Sequence, residues 1–209
     1  MSVNPPEIIQ GGTNPPEVVS TEEFTEYLFT QKNKGFEADF TDDSAIVGSK
    51  PIKDADVTVS TKKGETVSLG IEGTRIVKSD FAVEGRGAMD LTVKTGLFKK
   101  NTVTGGKKAD SVSFGNQVKL QKTTVDLGKG DDSITFGSQT TYKGKSTVDL
   151  GKGGADVIEF KAEPTGGKVV VENFDKNDTL TVGDKTYTYD QLTGEDAPSF
   201  EGIQIKFAD

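Results

Sequence analysis

Apolar and polar residues alternate on both sides of a glycine-rich turn in residues 125–136. Val125 and Leu127 stand two residues apart before the turn, and Ile134 and Phe136 stand two apart after it. The residues between the members of each pair are polar. A period of two predicts short strands that bury one face. The stretch therefore predicts two half-buried strands joined by a tight turn.

This strand–turn–strand unit recurs along the chain. Residues 148–160 repeat it with one inserted residue, and looser copies cover residues 103–114 and 171–182. The turn aspartates of the four copies, separated by 22, 24 and 22 residues, are Asp110, Asp132, Asp156 and Asp178. Self-similarity at a fixed period is typical of a solenoid, in which each repeat forms one coil. We predict an all-β fold, a parallel β-solenoid of the β-roll or β-helix type, over residues 101–182.

The segments around the repeats complete the predicted organisation. Residues 20–35 begin with the capping pattern Ser-Thr-Glu-Glu and carry apolar residues at helical spacing, which predicts a short N-terminal helix that caps the solenoid. Residues 36–100 alternate less regularly and predict an irregular β region. Residues 179–189 predict a hairpin, and residues 183–209 form the predicted C-terminal β cap, which ends in a strand.

The first 19 residues contain a small repeat of their own. Asn-Pro-Pro-Glu-Ile-Ile at residues 4–9 returns as Asn-Pro-Pro-Glu-Val-Val at residues 14–19. Paired prolines favour an extended chain, and the Ile and Val pairs are apolar for a solvated tail. We predict an arm that docks on a second copy or on a neighbouring structural subunit; the alternative is a disordered tail. The predicted partner-binding residues are Pro5, Pro6, Ile8, Ile9, Pro15, Pro16, Val18 and Val19.

The glycine-rich turn resembles the calcium-binding nonapeptide of the repeats-in-toxin family, G-G-x-G-x-D-x-U-x with U apolar. Residues 128–134 match it with Leu127 in place of the first glycine, and residues 151–159 match it with Lys152 in place of the second. The resemblance covers residues 101–185. The family repeats its motif every nine residues, whereas this chain repeats it at the longer spacing given above. The resemblance therefore implies metal on one edge of the solenoid only.

Calcium is the cofactor that this resemblance implies. Ca²⁺ takes six to eight oxygen ligands, and glycine allows the backbone to turn its carbonyl groups inward. The candidate ligands are Asp132 and Asp156, together with Asp131, Asp110 and Asp178. The alternative is a set of tight turns in which Gly and Asp are favoured without an ion.

The amino-acid composition excludes several kinds of chemistry. The chain of 209 residues contains no histidine and no cysteine, which excludes disulfides, thiol chemistry and catalysis by histidine. No apolar run is long enough for a transmembrane helix, and the N-terminus lacks the pattern of a cleaved signal peptide. We expect a protein of a virion, of the extracellular space or of the cell surface.

Charge is distributed unevenly. The net charge is −8, yet residues 91–152 carry 11 lysines against 5 aspartates. This lysine-rich region could face an anionic partner such as a glycan or an acidic surface. Alternatively, the lysines protect exposed strand edges from aggregation. Only two arginines are present, which disfavours nucleic acid as the partner.

These observations predict a non-enzymatic structural or interaction protein. Its expected role is that of a subunit in an extracellular or virion assembly, such as a phage capsid-decoration or tail-associated protein or a surface-layer component. One alternative is a secreted calcium-binding adhesin module similar to repeats-in-toxin proteins. A β-helix enzyme acting on glycans is a further alternative, although the chain has neither a histidine base nor a phosphate-binding loop.

Overall fold

A computed structural model describes residues 7–20, 25–73 and 75–208. The chain forms a β-solenoid of about seven stacked parallel coils, with 59% of the chain in strands and 3% in helix. The predicted all-β parallel solenoid is confirmed.

Two strands precede the coils, β1 (Glu7–Gly11) and β2 (Glu17–Ser20). The first three coils contain three strands each: β3 (Thr25–Phe29), β4 (Asn33–Lys34) and β5 (Phe36–Phe40); β6 (Ser44–Gly48), β7 (Pro51–Lys53) and β8 (Asp56–Thr61); β9 (Thr66–Glu72), β10 (Arg75–Val77) and β11 (Asp80–Gly85). The next four contain two strands each: β12 (Ala88–Lys99) and β13 (Thr102–Thr104); β14 (Ser111–Gln121) and β15 (Thr124–Asp126); β16 (Ser133–Phe136) and β17 (Thr141–Asp149); β18 (Val157–Phe160) and β19 (Gly167–Phe174).

Each coil has three sides. The first side contains β3, β6, β9, the first halves of β12 and β14, β16 and β18. The second contains β4, β7, β10, the second halves of β12 and β14, and the start of β17. The third contains β5, β8, β11, β13, β15, the rest of β17, and β19. Long strands such as β12 cover two sides because they continue around a corner.

Equivalent residues of successive coils pair in parallel and form columns in the core. One column, on the third side, consists of Val103, Val125, Val148 and Val171. On the first side, the ring of Phe136 stacks between those of Phe114 and Phe160, at centroid distances of 5.4 and 4.7 Å. All these side chains are buried. The inward positions that the alternation predicts are therefore the core of the solenoid.

Residues 36–100 form strands that belong to the same solenoid. The prediction that the solenoid begins only at residue 101, after an irregular β region, is therefore wrong. Leu91 pairs with Val112, and Phe81 pairs with Val103, in phase with the later copies. The early coils lack the glycine–aspartate turn that marks the later ones. Alternation alone does not reveal the register of a coil, because each coil is fixed by pairing with its neighbours.

The helix predicted over residues 20–35 is also wrong. Residues 25–29 form β3, which pairs in parallel with β6 in the next coil, and residues 33–34 form β4. Residues 21–24 lie outside the described part of the chain. Thr25, Tyr27 and Phe29 are buried while the residues between them are half-buried, which is the alternation of a strand. Pairing and burial against the second coil outweigh the local helical pattern.

Antiparallel strands occur at both ends of the solenoid. At the N-terminal end, β1 pairs with β5 and β2 pairs with β3. The C-terminal end contains β20 (Thr179–Val182), β21 (Lys185–Thr188), α1 (Tyr189–Thr193) and β22 (Ile203–Phe207). The predicted hairpin is formed by β20 and β21, and the final strand β22 pairs in parallel with β19. Within the described residues, no helix has the length and apolar character needed to cross a membrane.

Candidate functional site

Four aspartates stack at the corner where the third side of one coil meets the first side of the next, here called the aspartate corner. The backbone N–H of Asp110 donates to Oδ1 of Asp132 at 2.7 Å, and the N–H of Asp132 donates to Oδ1 of Asp156 at 2.8 Å. The N–H of Asp156 donates to Oδ1 of Asp178 at 2.9 Å. The structure therefore brings these four predicted site residues to successive corners, where they form a continuous ladder.

The glycines of the aspartate corner allow the coils to approach each other closely. Gly128 and Gly151 have φ angles of 89° and 88°, in the region that favours glycine. A Cβ atom on Gly128 would lie 2.4 Å from the carbonyl oxygen of Gly106 in the preceding coil. The glycines that resemble a metal-binding motif therefore have a role in coil stacking that involves no ion.

Burial controls the protonation of the ladder. Each of the four carboxyl groups is at most 3% exposed. Desolvation raises the pKa of Asp132 to about 6 and that of Asp156 to about 7, although the backbone N–H donors act in the opposite direction. Neighbouring corner aspartates raise both pKa values further. Burial also raises the pKa of Asp110 and Asp178.

The ladder does not present the oxygen ligands that calcium needs. Both carboxylate oxygens of Asp110 and of Asp178 accept backbone N–H groups. The exposed Asp131 accepts the N–H of Ala155 at 2.9 Å. Among the residues that the structure describes, no group of three or more acidic side chains could hold a metal ion. One buried oxygen, Oδ2 of Asp132, has no hydrogen-bond partner, but Ca²⁺ takes six to eight ligands. Calcium binding here stays a prediction that this geometry does not favour.

A second acidic column, which the sequence analysis did not single out, lies beside the aspartate corner. Asp126, Asp149 and Glu172 align across β15, β17 and β19. Oδ1 of Asp149 accepts hydrogen bonds from the Asn173 side chain at 2.6 Å and from the N–H of Gly151 at 2.9 Å. The sequence signal for this column is the triplet Thr-Val-Asp, which stands at the end of β15 and again at the end of β17.

The solenoid divides the lysine-rich region 91–152 between different corners. Exposed lysines of the aspartate corner include Lys107, Lys129 and Lys152. Other lysines lie where the second side of a coil meets the third, and this surface is called the lysine corner. Its residues are Lys34, Lys53, Lys78, Lys99, Lys100, Lys119, Lys122, Lys143, Lys145 and Lys168. The lysine corner thus extends beyond region 91–152 in both directions.

The described part of the N-terminal arm folds onto its own first coil. Ile8 pairs with Ala38, and the side chain of Asn33 donates to the carbonyl oxygens of Gly11 and Asn14, each at 2.7 Å. The described part of the arm is therefore tied to its own chain, because its strands extend the two sheets of the first coil.

The predicted partner-binding residues have different positions in this arm. Pro5 and Pro6 lie outside the described residues, and Ile8 and Ile9 are part of β1. Pro15 and Pro16 precede β2. In β2, Val18 is 42% exposed and Val19 is 43% exposed. Contact of these residues with a partner stays a prediction.

Comparisons with protein-family models, with curated proteins and with solved structures find no significant match. The resemblance to repeats-in-toxin proteins therefore stays a prediction from the turn motif.

Proposed function

We propose that the protein is a non-enzymatic structural subunit of an extracellular or virion assembly and that its copies associate through their N-terminal ends. The observation that carries this proposal is the exposed edge strand β2. All four residues of β2 are exposed, and its pairing partner within the described chain is β3 alone. One edge of β2 therefore offers free backbone N–H and C=O groups.

The two ends of the solenoid differ in how their strands are covered. At the C-terminal end, the ring of Phe207 contacts Phe174 and Tyr189 at centroid distances of 6.2 and 5.1 Å. Leu192 of α1 is buried there as well. At the N-terminal end, Val18 and Val19 remain at the surface next to the free edge. Strands β21 and β22 at the C-terminal end also pair on one side, but each contains a lysine, Lys185 and Lys206, which protects an edge. The N-terminal end is therefore the one suited to add a strand from another chain.

Strand β2 is short and carries the charged Glu17, but it lacks the two residues that protect edge strands most directly. Proteins protect such edges with lysine or proline within the strand, or with a covering loop. The sequence of β2 is Glu-Val-Val-Ser, which contains neither residue.

A second copy of β2 is a suitable partner because the strand is complementary to itself. In an antiparallel pair centred between Val18 and Val19, the two valines face each other across the interface, and Glu17 faces Ser20. Such pairing places no like charges opposite each other. It forms a two-fold interface, the commonest type in homo-oligomers.

The test is the native mass of the full-length chain, measured by light scattering during size-exclusion chromatography. We expect the wild type to be a dimer and the double variant Val18→Lys, Val19→Lys to be a monomer, because lysine blocks edge pairing. The matched control is Val157→Lys: Val157 is 44% exposed but lies on β18, which is paired on both sides. A monomeric wild type, or dimers in the Val18→Lys, Val19→Lys variant, would contradict the proposal.

A further inference from the structure

We propose that the lysine corner binds a linear anionic polysaccharide, which lies along the solenoid axis with its charged groups facing successive coils. The corner is a row of cationic side chains rather than a pocket. Lys78, Lys100 and Lys122 occupy equivalent positions in the third, fourth and fifth coils, because Val77 pairs with Lys99 and Lys99 pairs with Gln121. Strands in a sheet are about 4.8 Å apart, so the three lysines repeat at this interval.

The backbone conformation at this corner does not favour lysine. Lys78, Lys100 and Lys122 have φ angles of 55°, 55° and 51°, in the left-handed region that is unfavourable for residues with a Cβ atom. Glycine occupies the equivalent positions in the first and sixth coils, as Gly35 and Gly144 with φ angles of 74° and 73°, and Asp54 with a φ of 51° occupies that of the second coil. Strained residues concentrate at functional sites. The presence of lysine at three consecutive strained positions therefore points to a use for its charge.

Among the described residues, Lys78, Lys100 and Lys122 take part in none of the salt bridges. Within the described residues, the acidic side chain that pairs with the lysine corner is Asp54, at 3.8 Å from Lys34 in the first coil. On the adjoining third side, the position held by Asp56 and Asp80 in the second and third coils is held by threonine in the next three coils. From the fourth coil onward, this neighbouring position therefore carries no negative charge to oppose the lysines.

Protection of strand edges does not explain the lysine corner. Lysines serve that purpose on strands with one unpaired edge. Strands β12 and β14, which carry Lys99 and Lys119, are each paired with strands of both neighbouring coils. Lys99 and Lys119 therefore lie on strands that have no free edge, whereas Lys34 and Lys143 lie on stretches paired on one side.

The features of the corner favour a polysaccharide over nucleic acid. Single-stranded nucleic acid stacks its bases on exposed aromatic side chains, and among the described residues the large exposed apolar side chains are all valines. The chain contains only two arginines, the residue whose planar fork suits phosphate contacts. Lysine is a compact point charge that needs no bidentate geometry, so it suits sulfate or carboxylate groups.

The binding experiment uses full-length protein with heparin as the sulfated probe, polygalacturonate as the carboxylated probe and dextran as the neutral probe. Affinities are measured by isothermal titration calorimetry at about 50 and about 150 mM NaCl, because salt screens exposed charges. We expect binding to at least one anionic glycan, weaker binding at the higher salt concentration, and no binding to dextran.

The test variant is Lys78→Asn, Lys100→Asn, Lys122→Asn, which keeps the fold because asparagine tolerates the left-handed conformation. We expect its affinity to fall about tenfold. The matched control is Lys107→Asn, Lys129→Asn, Lys152→Asn, which has the same net charge but changes the aspartate corner. We expect the affinity of the control to stay within about twofold of the wild type. Circular dichroism checks that both variants fold.

Three outcomes would overturn the inference: no binding of the wild type to either anionic glycan, equal losses in the two triple variants, or tighter binding of a DNA oligonucleotide than of the glycans. The edge-strand variant Val18→Lys, Val19→Lys separates this inference from the proposed assembly. Each chain of this variant should bind glycan with the same affinity as a wild-type chain, whether the variant is a monomer or a dimer.

Discussion

The aspartate corner and the lysine corner are formed by the same coils, yet they treat charge in opposite ways. Asp132 and Asp156 are buried between coils and accept backbone N–H groups. Lys100 and Lys122 point to solvent from strained turns and have no acidic partner among the described residues. A column of like charges in a solenoid can therefore be part of the structure or a surface for a partner, and burial distinguishes the two.

Burial also explains why stacking like charges costs more free energy in the aspartate corner than in the lysine corner. Like charges repeat at the coil spacing in both corners. In the buried column, desolvation and neighbouring carboxylates raise the pKa of Asp156 to about 7. In the exposed column, water and salt screen the repulsion between lysines. The corners should consequently respond differently to substitution, pH and metal removal.

The largest expected difference comes from removing one side chain at each corner. The substitution Asp132→Ala leaves the buried N–H of Asp110 without its acceptor and should lower the free energy of unfolding by about 1–3 kcal/mol. Lys100→Ala removes an exposed charge and should change it by less than about 0.5 kcal/mol. Urea unfolding followed by circular dichroism measures both values. Equal effects would show that the aspartate ladder is not a stabilising element.

The next contrast is the dependence of stability on pH. The folded-state pKa values of about 6 for Asp132 and about 7 for Asp156 lie above the unfolded value of about 4. The contribution of each group is therefore fully present below about pH 4 and is lost as the pH rises through its folded-state pKa. The free energy of unfolding should fall between about pH 4 and about pH 7, by on the order of 1 kcal/mol or more.

The control for this pH dependence is Asp156→Asn, which keeps an oxygen acceptor for the N–H of Asp132 but does not titrate. Urea unfolding at several pH values should give a flatter profile for this variant. A profile as steep as that of the wild type would mean that other groups cause the dependence.

A smaller effect is expected from relieving strain at the lysine corner. Lys100→Asn places a residue that tolerates the left-handed conformation at a φ of 55° and should stabilise the fold by about 0.5 kcal/mol. Lys129 does not have a positive φ, so Lys129→Asn should give no gain. The measurement compares the midpoints of urea unfolding of the two variants with that of the wild type. A gain at both positions would indicate a general effect of charge and not of backbone strain.

The smallest effect is expected from removing divalent metal. Because a backbone N–H group occupies at least one oxygen of each carboxylate in the aspartate corner, EDTA should leave the far-ultraviolet circular dichroism spectrum and the thermal midpoint unchanged. Loss of the β signal in EDTA, with recovery on addition of Ca²⁺, would instead support the calcium-binding alternative.

The sequence predicted the later coils well and the early ones poorly. Val125 and Phe136 were placed in the core because side chains of a strand alternate between its faces, which is a local property. Asp132 and Asp156 were placed at successive corners because their spacing equals one coil. Residues 25–29 were predicted as a helix, since their pairing with the second coil is not visible in a local pattern.

For the candidate site, the sequence by itself determined which residues recur and at what interval. Only the tertiary structure decided that Asp132 accepts a backbone N–H, that Lys100 and Lys129 lie on different corners, and that β2 extends the first coil. The physical reason is that alternation and spacing depend on neighbours along the chain. Register, burial and hydrogen-bond partners depend on residues one coil apart, which meet only when the solenoid has formed.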